Sequence, residues 1–276
     1  MTFATDPSRR WSRELDVARA LARDAAAPVL EVYATDFEVF QKAGKEPVTL
    51  ADRAASRLIV AGLRAAFPGD AVLSEEEADS AARIGAERVW IVDPVDGTKE
   101  FISRNGEFSI MIGLAAAGVA VVGAVYLPAS GRMFSGAAGA GAFDGERPIR
   151  VSAVARPAEA RLVVSRSHRG RLTDPFKAAL GVVHETPSGS VGIKAGLIAA
   201  GEADLYVNPS SKSRLWDGCA PDAVLSAAGG RFTDLDGRPL AYGGAELYNK
   251  RGILASNGLL HDDALRAAAA VAAQLG

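Results

Sequence analysis

Apolar residues at helical spacing predict two helices near the start of the chain. Residues 11–33 place leucine and alanine on one face at helical spacing, which predicts an amphipathic helix. A second helical pattern follows Thr49 and runs to about Phe67, with Asp52 at the third helical position. Threonine is a favoured N-cap residue, so this helix is predicted to begin directly after Thr49.

An uncharged stretch at residues 110–127 is long enough to cross a membrane as a helix. Gly113, Gly118 and Gly123 interrupt it, and valine is frequent in its second half. These features favour two buried strands that turn near Ala117 and Gly118, and they disfavour a stable membrane insertion. Shorter strands are predicted before this hairpin, at AVLS and VWIVD.

After about residue 150 the pattern changes to strands that alternate with helices. A loop, a helix and a strand are predicted in SGSVGIKAGLIAAGEADLYV, and this order is repeated in RLWDGCAPDAVLSAAGGRFTD. Asp217 is placed before the second of these helices, and Gly229 ends it. The sequence therefore predicts an α/β protein, with an α+β half at residues 1–150 and an alternating α/β half at residues 151–276.

Composition and charge exclude several classes of protein. The 276 residues are 49% hydrophobic and 23% charged, as in ordinary globular proteins. A formal net charge of −2 gives no reason to expect a nucleic acid polymer or an anionic membrane as partner. Cys219 is the single cysteine, which excludes an intramolecular disulfide and fits a reducing compartment. The first residues carry charges where a secretory signal needs an apolar core, so a cytoplasmic location is expected.

Carboxylates stand where predicted strands end and where helices begin. Glu75 follows AVLS, Asp93 follows VWIV, Asp96 comes three residues later, and Asp217 opens a late helix. Residues at such positions can converge on one cleft without entering the core. Four carboxylates with no histidine or cysteine beside them indicate a hard cation, Mg²⁺ or Mn²⁺, rather than Zn²⁺.

The segment DPVDGT has a spacing suited to such a site. Pro94 fixes φ and stiffens the chain between its two aspartates. The carbonyl of Val95 is available as another oxygen ligand. Gly97 permits close approach of the backbone to an anion, and Thr98 offers a hydroxyl suited to orienting a water molecule.

Each of these residues also has an ordinary structural interpretation. A DxxDG segment is commonly a turn, and Asp217 alone would be an N-cap. Asp52 alone would be favoured by the helix dipole, and Glu75 with the glutamates after it would be a solvated acidic turn. The occurrence of all of them in one chain favours the metal site.

Three segments, SEEE, WIVDPVDGTKEF and WDGCAPDAVLSAAGG, resemble in order and separation those of the lithium-sensitive, Mg²⁺-dependent inositol monophosphatase superfamily. The resemblance runs from about Lys42 to Gly230 and implies a layered αβαβα sugar-phosphatase fold with metals between its two halves. Within the superfamily, PVTLAD, TKEF and VVSRSH are most similar to the 3'(2'),5'-bisphosphate nucleotidases. Those enzymes hydrolyse 3'-phosphoadenosine 5'-phosphate, a by-product of sulfate assimilation, to AMP.

The resemblance implies a set of metal ligands and a catalytic set. Two or three Mg²⁺ ions, with Mn²⁺ as a substitute, would be held by Glu75, Asp93, the Val95 carbonyl, Asp96 and Asp217. Asp52 and Thr98, together with Glu75, would position and deprotonate the attacking water. The metals would neutralise the phosphate charge and lower the pKa of a bound water, so hydrolysis would be direct, without a phosphoenzyme.

Substrate contacts are implied for six residues: Gly97, Thr98, His168, Ser190, Lys194 and Asp217. The amides of Gly97 and Thr98 would hold the departing phosphate, and His168 would contact the nucleotide. Lys194 would face a substrate phosphate; alternatively, it is a solvated lysine in the first turn of a helix. Ser190 could cap that helix, whose N-terminal amides can themselves bind phosphate.

One departure from the family pattern and several alternative substrates stay open. Several relatives have an arginine where this chain has Asn208, so Lys212 or Arg214 is expected to supply that charge. The same site could act on inositol monophosphate, histidinol phosphate or a sugar bisphosphate, because a fold does not fix a substrate. A non-catalytic phosphate-binding protein is disfavoured because the carboxylate set is complete. A homodimer or a monomer is expected.

Overall fold

A computed structural model of the chain describes residues 10–41, 47–167 and 169–275. Within these residues there are seven α-helices: α1 (Ser12–Tyr33), α2 (Leu50–Ala66), α3 (Thr98–Ile102), α4 (Thr173–Leu180), α5 (Val191–Ala199), α6 (Leu215–Ala227) and α7 (His261–Leu275). The strands are β1 (Phe40–Gln41), β2 (Pro47–Val48), β3 (Ala71–Ser74), β4 (Arg88–Asp96), β5 (Ser109–Ala116), β6 (Val119–Leu127), β7 (Arg132–Ala137), β8 (Gly141–Asp144), β9 (Arg147–Ile149), β10 (Arg161–Ser165), β11 (His184–Ser188), β12 (Leu205–Asn208), β13 (Arg231–Thr233) and β14 (Ile253–Ser256).

The first large sheet contains seven strands in the order of the chain, β3 to β9. Its first two strands are parallel and the others are antiparallel. Ala117 and Gly118 form the tight turn between β5 and β6 with φ angles of 48° and 78°, so the predicted hairpin is confirmed. No helix among the described residues is both long and apolar enough to cross a membrane.

The second large sheet has five strands in the order β11-β10-β12-β14-β13. The first three strands are parallel to one another, and β14 is antiparallel to both of its neighbours. Parallel strands need crossover connections, and α4 and α5 lie within the connections here. This arrangement agrees with the alternating pattern of the second half of the sequence.

Five layers result from the way the helices cover the two sheets. Helices α1 and α2 pack on the outer face of the first sheet, and α4 and α7 pack together beside the second sheet. Helices α5 and α6 lie between the sheets and contact strands of both. This is the predicted αβαβα layering, and the predicted α/β fold class is confirmed.

The middle helix layer lies unusually close to the first sheet because glycines face it. A Cβ atom on Gly123 would lie 2.2 Å from the carbonyl oxygen of Ala220 in α6. A Cβ atom on Gly113 would lie 2.7 Å from the backbone nitrogen of the same residue. The backbone of α6 therefore rests directly on β5 and β6.

The chain order separates the two sheets, but the helices link them. The first sheet ends at Ile149 and the second begins at Arg161, while α5 and α6 belong to the second stretch and pack on both sheets. The predicted division into residues 1–150 and 151–276 stays a prediction.

Several elements are absent from the sequence-based prediction. Strands β7 to β9 occupy a glycine-rich stretch, and β11 and helix α4 lie between predicted elements. Gly139 and Gly145 adopt positive φ in the turns of this meander, and Gly141 does so at the start of β8, so the glycines suggested a loop rather than strands. The helix α2, by contrast, begins as predicted: Thr49 accepts from the Ala51 amide and forms a capping box with Asp52.

Candidate active site

The centre of the site is the end of strand β4, where Pro94 separates two aspartates. The pairing of β4 with β5 is irregular between Asp93 and Asp96, because proline has no N–H to donate to a neighbouring strand. The Val95 N–H donates to Asp93 Oδ1 at 3.1 Å, which fixes that carboxylate at the strand end. Both aspartates are buried.

Asp217 reaches the same point from helix α6. It is the third residue of the helix rather than the residue before it, so the predicted helix start is wrong by three residues. The Arg214 N–H donates to Asp217 Oδ2 at 2.7 Å, so the carboxylate accepts from the amide directly before the first turn of the helix. Asp217 therefore has two roles: it accepts a hydrogen bond at the helix N-terminus, and it contributes a carboxylate to the site.

Three carboxylates meet at this point and form what we call the acid cluster: Asp93, Asp96 and Asp217. One oxygen from each lies within 4.8 Å of those of the other two. Burial raises the pKa of Asp96, and nearby Lys194 opposes this shift. Burial, followed by the charge of Asp96, raises the pKa of Asp217 well above its usual value. Carboxylates this close repel one another when ionised, and a divalent cation between them would remove that repulsion. The oxygen-only donor set fits a hard divalent cation.

Glu75 and Val95 border the acid cluster without belonging to it. Both line the cavity into which the cluster opens, which has a volume of about 490 Å³. The Glu75 N–H donates to the carbonyl of Val92 at 3.1 Å, so the residue continues the pairing of β3 with β4. Their roles as metal ligands stay predictions.

The next residues along the chain, Gly97 and Thr98, also line this cavity. Gly97 has φ of 96°, and a Cβ atom there would lie 3.1 Å from the carbonyl oxygen of Glu107. Only glycine adopts this conformation in this space without strain. Thr98 Oγ1 donates to the Val95 carbonyl at 3.3 Å.

Asp52 lies close to the start of α2 rather than in the cavity lining. Its Oδ2 accepts from the Thr49 N–H at 2.8 Å and from the Thr49 hydroxyl at 2.7 Å. The predicted action of Asp52 and Thr98 on a water molecule stays a prediction. His168 lies outside the described residues.

Ser190 and Lys194 lie beside Asp96 at the start of α5. The Ser190 hydroxyl donates to Asp96 Oδ2 at 2.5 Å and accepts from the Ile193 N–H, so it also caps α5 as predicted. Lys194 is buried, and its Nζ donates to the carbonyls of Ser188, Gly189 and Ser190 at 3.4, 3.0 and 2.5 Å. Burial lowers its pKa to about 8, and Asp96 opposes this shift.

This placement bears on the role expected for Lys194. Its side chain organises the backbone before α5 and is not among the residues that line the cavity. It is also not the solvated lysine of the alternative interpretation, since it is 2% exposed. Contact with a substrate phosphate stays a prediction for this residue.

The cavity has further lining residues that sequence reasoning gave no site role, among them Glu100, Tyr206 and Ser213. Glu100 is buried and accepts from the Ser167 hydroxyl at 2.5 Å. Lys212 and Arg214, named as candidates for a missing positive charge, line the cavity as well. Ser213, Lys212 and Arg214 share one signal, their position in the loop before α6, whereas Glu100 lies within α3 and Tyr206 within β12.

The fold and the acid cluster together define the class of protein. Residues 11–274 match the sequence model of the inositol monophosphatase family, and the chain belongs to that family. The chain is 41% identical over 232 residues to the 3'(2'),5'-bisphosphate nucleotidase CysQ of Escherichia coli O157:H7, covering 83% of this chain and 93% of that protein.

Two further relatives show how far the similarity extends. Histidinol-phosphatase of Mycobacterium tuberculosis is 37% identical over 262 residues, covering 91% of this chain and 96% of that protein. The crystal structure of CysQ from Bacteroides thetaiotaomicron superimposes with a TM-score of 0.77 at 31% identity, covering 90% of this chain and 98% of that chain. The match spans nearly the whole fold in each case.

Proposed function

We propose that this protein is a Mg²⁺-dependent phosphatase that removes the 3'-phosphate of 3'-phosphoadenosine 5'-phosphate to give AMP. The observation that carries the proposal is the acid cluster, which opens into a cavity that also contains Lys212 and Arg214. Carboxylates beside basic residues suit a site that takes both cations and an anionic ester. The similarity to CysQ supports the nucleotide as substrate.

The residues of the site fit divalent cations. Asp93, Asp96 and Asp217 would hold them, with Glu75 and the Val95 carbonyl at the border of the cluster. Bound cations would supply charge neutralisation for the phosphate and would make water a better nucleophile at neutral pH.

The chain's own groups would orient the reactants. A water oxygen attacks phosphorus while the bond from phosphorus to the 3'-oxygen breaks, and a proton reaches that oxygen to give a hydroxyl and inorganic phosphate. Thr98 stands at the cavity wall with its hydroxyl anchored to Val95, where it would orient the water. The amides of Gly97 and Thr98 would hold the phosphate oxygens, and Ser190 keeps Asp96 in place.

Histidinol phosphate is the second candidate substrate. The similarity to the M. tuberculosis histidinol-phosphatase covers 91% of this chain, and Glu100 offers a buried carboxylate at the cavity wall. Such a carboxylate would accept from the amino group of histidinol phosphate. Inositol 1-phosphate and fructose 1,6-bisphosphate lack that amino group.

Side-by-side turnover measurements test the proposal. Phosphate release from 3'-phosphoadenosine 5'-phosphate, histidinol phosphate, inositol 1-phosphate and fructose 1,6-bisphosphate is measured with Mg²⁺ and with a chelator. We expect kcat/KM to be highest for the nucleotide and activity to vanish with the chelator. Asp93→Asn should lose activity on the order of a thousandfold while its circular dichroism stays unchanged. Near-normal turnover in that variant would rule out the metal site, and a preference for histidinol phosphate would replace the nucleotide as substrate.

A further inference from the structure

Arg83 is an almost completely buried arginine that is not among the residues lining the cavity. It stands in the loop between β3 and β4, which we call the 75–87 loop, and it is 1% exposed. An arginine keeps its charge when it is buried, so its guanidinium needs acceptors and a counter-charge inside the protein. The partners of Arg83 therefore indicate what the residue does.

The guanidinium bonds to two separate segments of the chain. Its Nε and Nη2 donate to the two carboxylate oxygens of Asp79, in the same loop, at 2.6 and 2.8 Å. Its Nη1 donates to the carbonyl of Gly244 at 2.6 Å, and Nη2 also donates to the carbonyl of Ala245 at 3.4 Å. The hydrogen bond from Arg83 is the main cause that lowers the pKa of Asp79, so this carboxylate is ionised at neutral pH. One side chain thus fastens the 75–87 loop to a part of the chain about 160 residues later.

Residues 244–249, which we call the 244–249 segment, are in turn joined to the start of α6. The N–H of Leu215, the first residue of that helix, donates to the carbonyl of Leu247 at 2.9 Å. The Leu247 side chain also packs against the apolar cluster that contains Leu215. Asp217 of the acid cluster stands two residues further along the helix, so a shift of the 244–249 segment would reach it.

Glu75 lies at the other end of this connection. It is the first residue of the 75–87 loop, and it lines the cavity. Its carboxylate acts on Asp217 across the cavity: burial and the charge of Asp96 raise the pKa of Asp217, and the charge of Glu75 adds to this shift. A metal ligand on a loop keeps its geometry only when further contacts hold the loop in place. Arg83 supplies such a contact.

We infer that Arg83 is a positioning residue for the metal site, which holds Glu75 at a fixed separation from Asp217. This inference rests on the proposed function, since it requires Glu75 to bind a divalent cation. Arg83 would act through the two segments that it joins, without contact to the cation or to the substrate. Arginine suits this role better than lysine, because its planar fork offers donors in several fixed directions whereas an ammonium group is a point charge.

Calorimetric titration of the metal-free protein with Mg²⁺ tests this inference. We would compare the wild type with Arg83→Lys, Arg83→Met, Asp79→Asn, Glu75→Gln and the double variant of Arg83→Lys with Glu75→Gln. Arg64→Met is the matched control, because Arg64 also pairs with an acid of the 75–87 loop, Glu77, but its side chain is 62% exposed. Circular dichroism melting curves establish that each variant is folded at the temperature of the titration.

We expect Arg83→Met to weaken Mg²⁺ binding by the folded protein about tenfold to a hundredfold. Arg83→Lys should weaken it about tenfold, and Asp79→Asn, which keeps an acceptor oxygen for Arg83, several-fold. Glu75→Gln should also weaken binding, but adding Arg83→Lys to it should cause little further loss, because the group that Arg83 positions is already gone. Arg64→Met should bind Mg²⁺ as the wild type does. A purely structural arginine would lower the melting temperature without this dependence on Glu75.

Wild-type Mg²⁺ affinity in folded Arg83→Lys, or losses that simply add in the double variant, would overturn the inference and leave the proposed function intact. If neither Arg83 variant is folded during the titration, unchanged affinity in Asp79→Asn overturns it. A wild type that binds no Mg²⁺ would instead overturn the metal site of the proposed function, and the inference with it.

Discussion

The Ser190 hydroxyl lies 2.5 Å from Asp96 Oδ2, and the same hydroxyl caps helix α5 by accepting from the Ile193 N–H at 3.0 Å. One oxygen thus connects a helix end to a carboxylate of the acid cluster. Ser190 also adopts φ of 50°, a conformation that costs free energy for any residue except glycine. The contact to Asp96 therefore coincides with local backbone strain.

Replacement of Ser190 separates these two effects. Ser190→Ala and Ser190→Gly both remove the hydroxyl, so both should lower kcat about tenfold or more because Asp96 loses its anchor. Glycine relieves the backbone strain, so Ser190→Gly should be about 1 kcal/mol more stable than Ser190→Ala. Steady-state kinetics and urea unfolding check this. Wild-type kcat in the alanine variant would show that Asp96 needs no such anchor.

The acid cluster should destabilise the metal-free protein. An acid whose pKa is raised in the folded state holds its proton there more tightly than in the unfolded chain. The metal-free protein should therefore lose stability as pH rises from about 4 through the raised pKa. Asp217→Asn removes this charge and keeps an oxygen that can accept from the Arg214 N–H.

We expect metal-free Asp217→Asn to be more stable than the metal-free wild type at neutral pH, on the order of 1–2 kcal/mol. Mg²⁺ should raise the wild-type melting temperature and raise that of the variant much less. Melting curves with a chelator and with Mg²⁺ check both points. A variant that is less stable than the metal-free wild type would contradict the repulsion argument.

His261, which is not among the residues that line the cavity, should make the stability of the protein depend on pH. It is fully buried, and its ring nitrogens bond to the hydroxyls of Thr233 and Ser256 at 2.9 and 2.8 Å. Burial, followed by the charge of Arg231, lowers its pKa from 6.5 to about 4. Between these values the unfolded chain binds a proton that the folded protein does not, so stability falls as pH falls through this window.

We expect this histidine to remove about 2 kcal/mol of stability between about pH 7 and pH 5. His261→Asn keeps a polar side chain near Ser256 but does not titrate, so its stability should fall less steeply over the same interval. Urea unfolding at several pH values gives both slopes. Equal slopes in the two proteins would show that His261 does not titrate on unfolding.

Gly123 should be essential for the position of α6. An alanine Cβ there would lie 2.2 Å from the Ala220 carbonyl oxygen, so the helix would have to move away from the sheet. Gly123→Ala should cost about 2–4 kcal/mol and lower kcat, because Asp217 would move with the helix. Gly69→Ala is the matched control, since nothing lies within 4 Å of a Cβ there. Similar stability and kcat in the two variants would contradict this account.

The sequence predicted features that depend on neighbouring residues. Thr49 and Asp52 lie three positions apart in one capping box, and Ala117 with Gly118 forms one tight turn, so local patterns sufficed for both. The acid cluster could also be predicted from the sequence, because residues at strand ends and helix starts can meet at one edge of a sheet. The orientation of the Lys194 side chain could not be predicted. Its carbonyl partners depend on how the segment of residues 188–190 bends before α5.

The loop between β12 and α6 shows the same limit for the site. Its composition identified Lys212 and Arg214 as basic candidates, but Tyr248, which stacks on Arg214, stands more than thirty residues later. The Ser213 hydroxyl has no hydrogen-bond partner among the described residues, which is a property of packing and has no signature in the sequence. The start of α6 was misplaced for a related reason, because Asp217 accepts from the Arg214 N–H from a position inside the helix.

The contact of α6 with the glycines of β5 and β6 has a consequence for the tolerance of the protein to substitution. Where backbone touches backbone, the separation is set by the radii of main-chain atoms, which are the same whatever the sequence. Conservative changes in side-chain volume elsewhere in the core should therefore lower stability before they alter the distances among the three aspartates. Substitutions in the rest of the core should therefore leave the distances among the three aspartates unchanged.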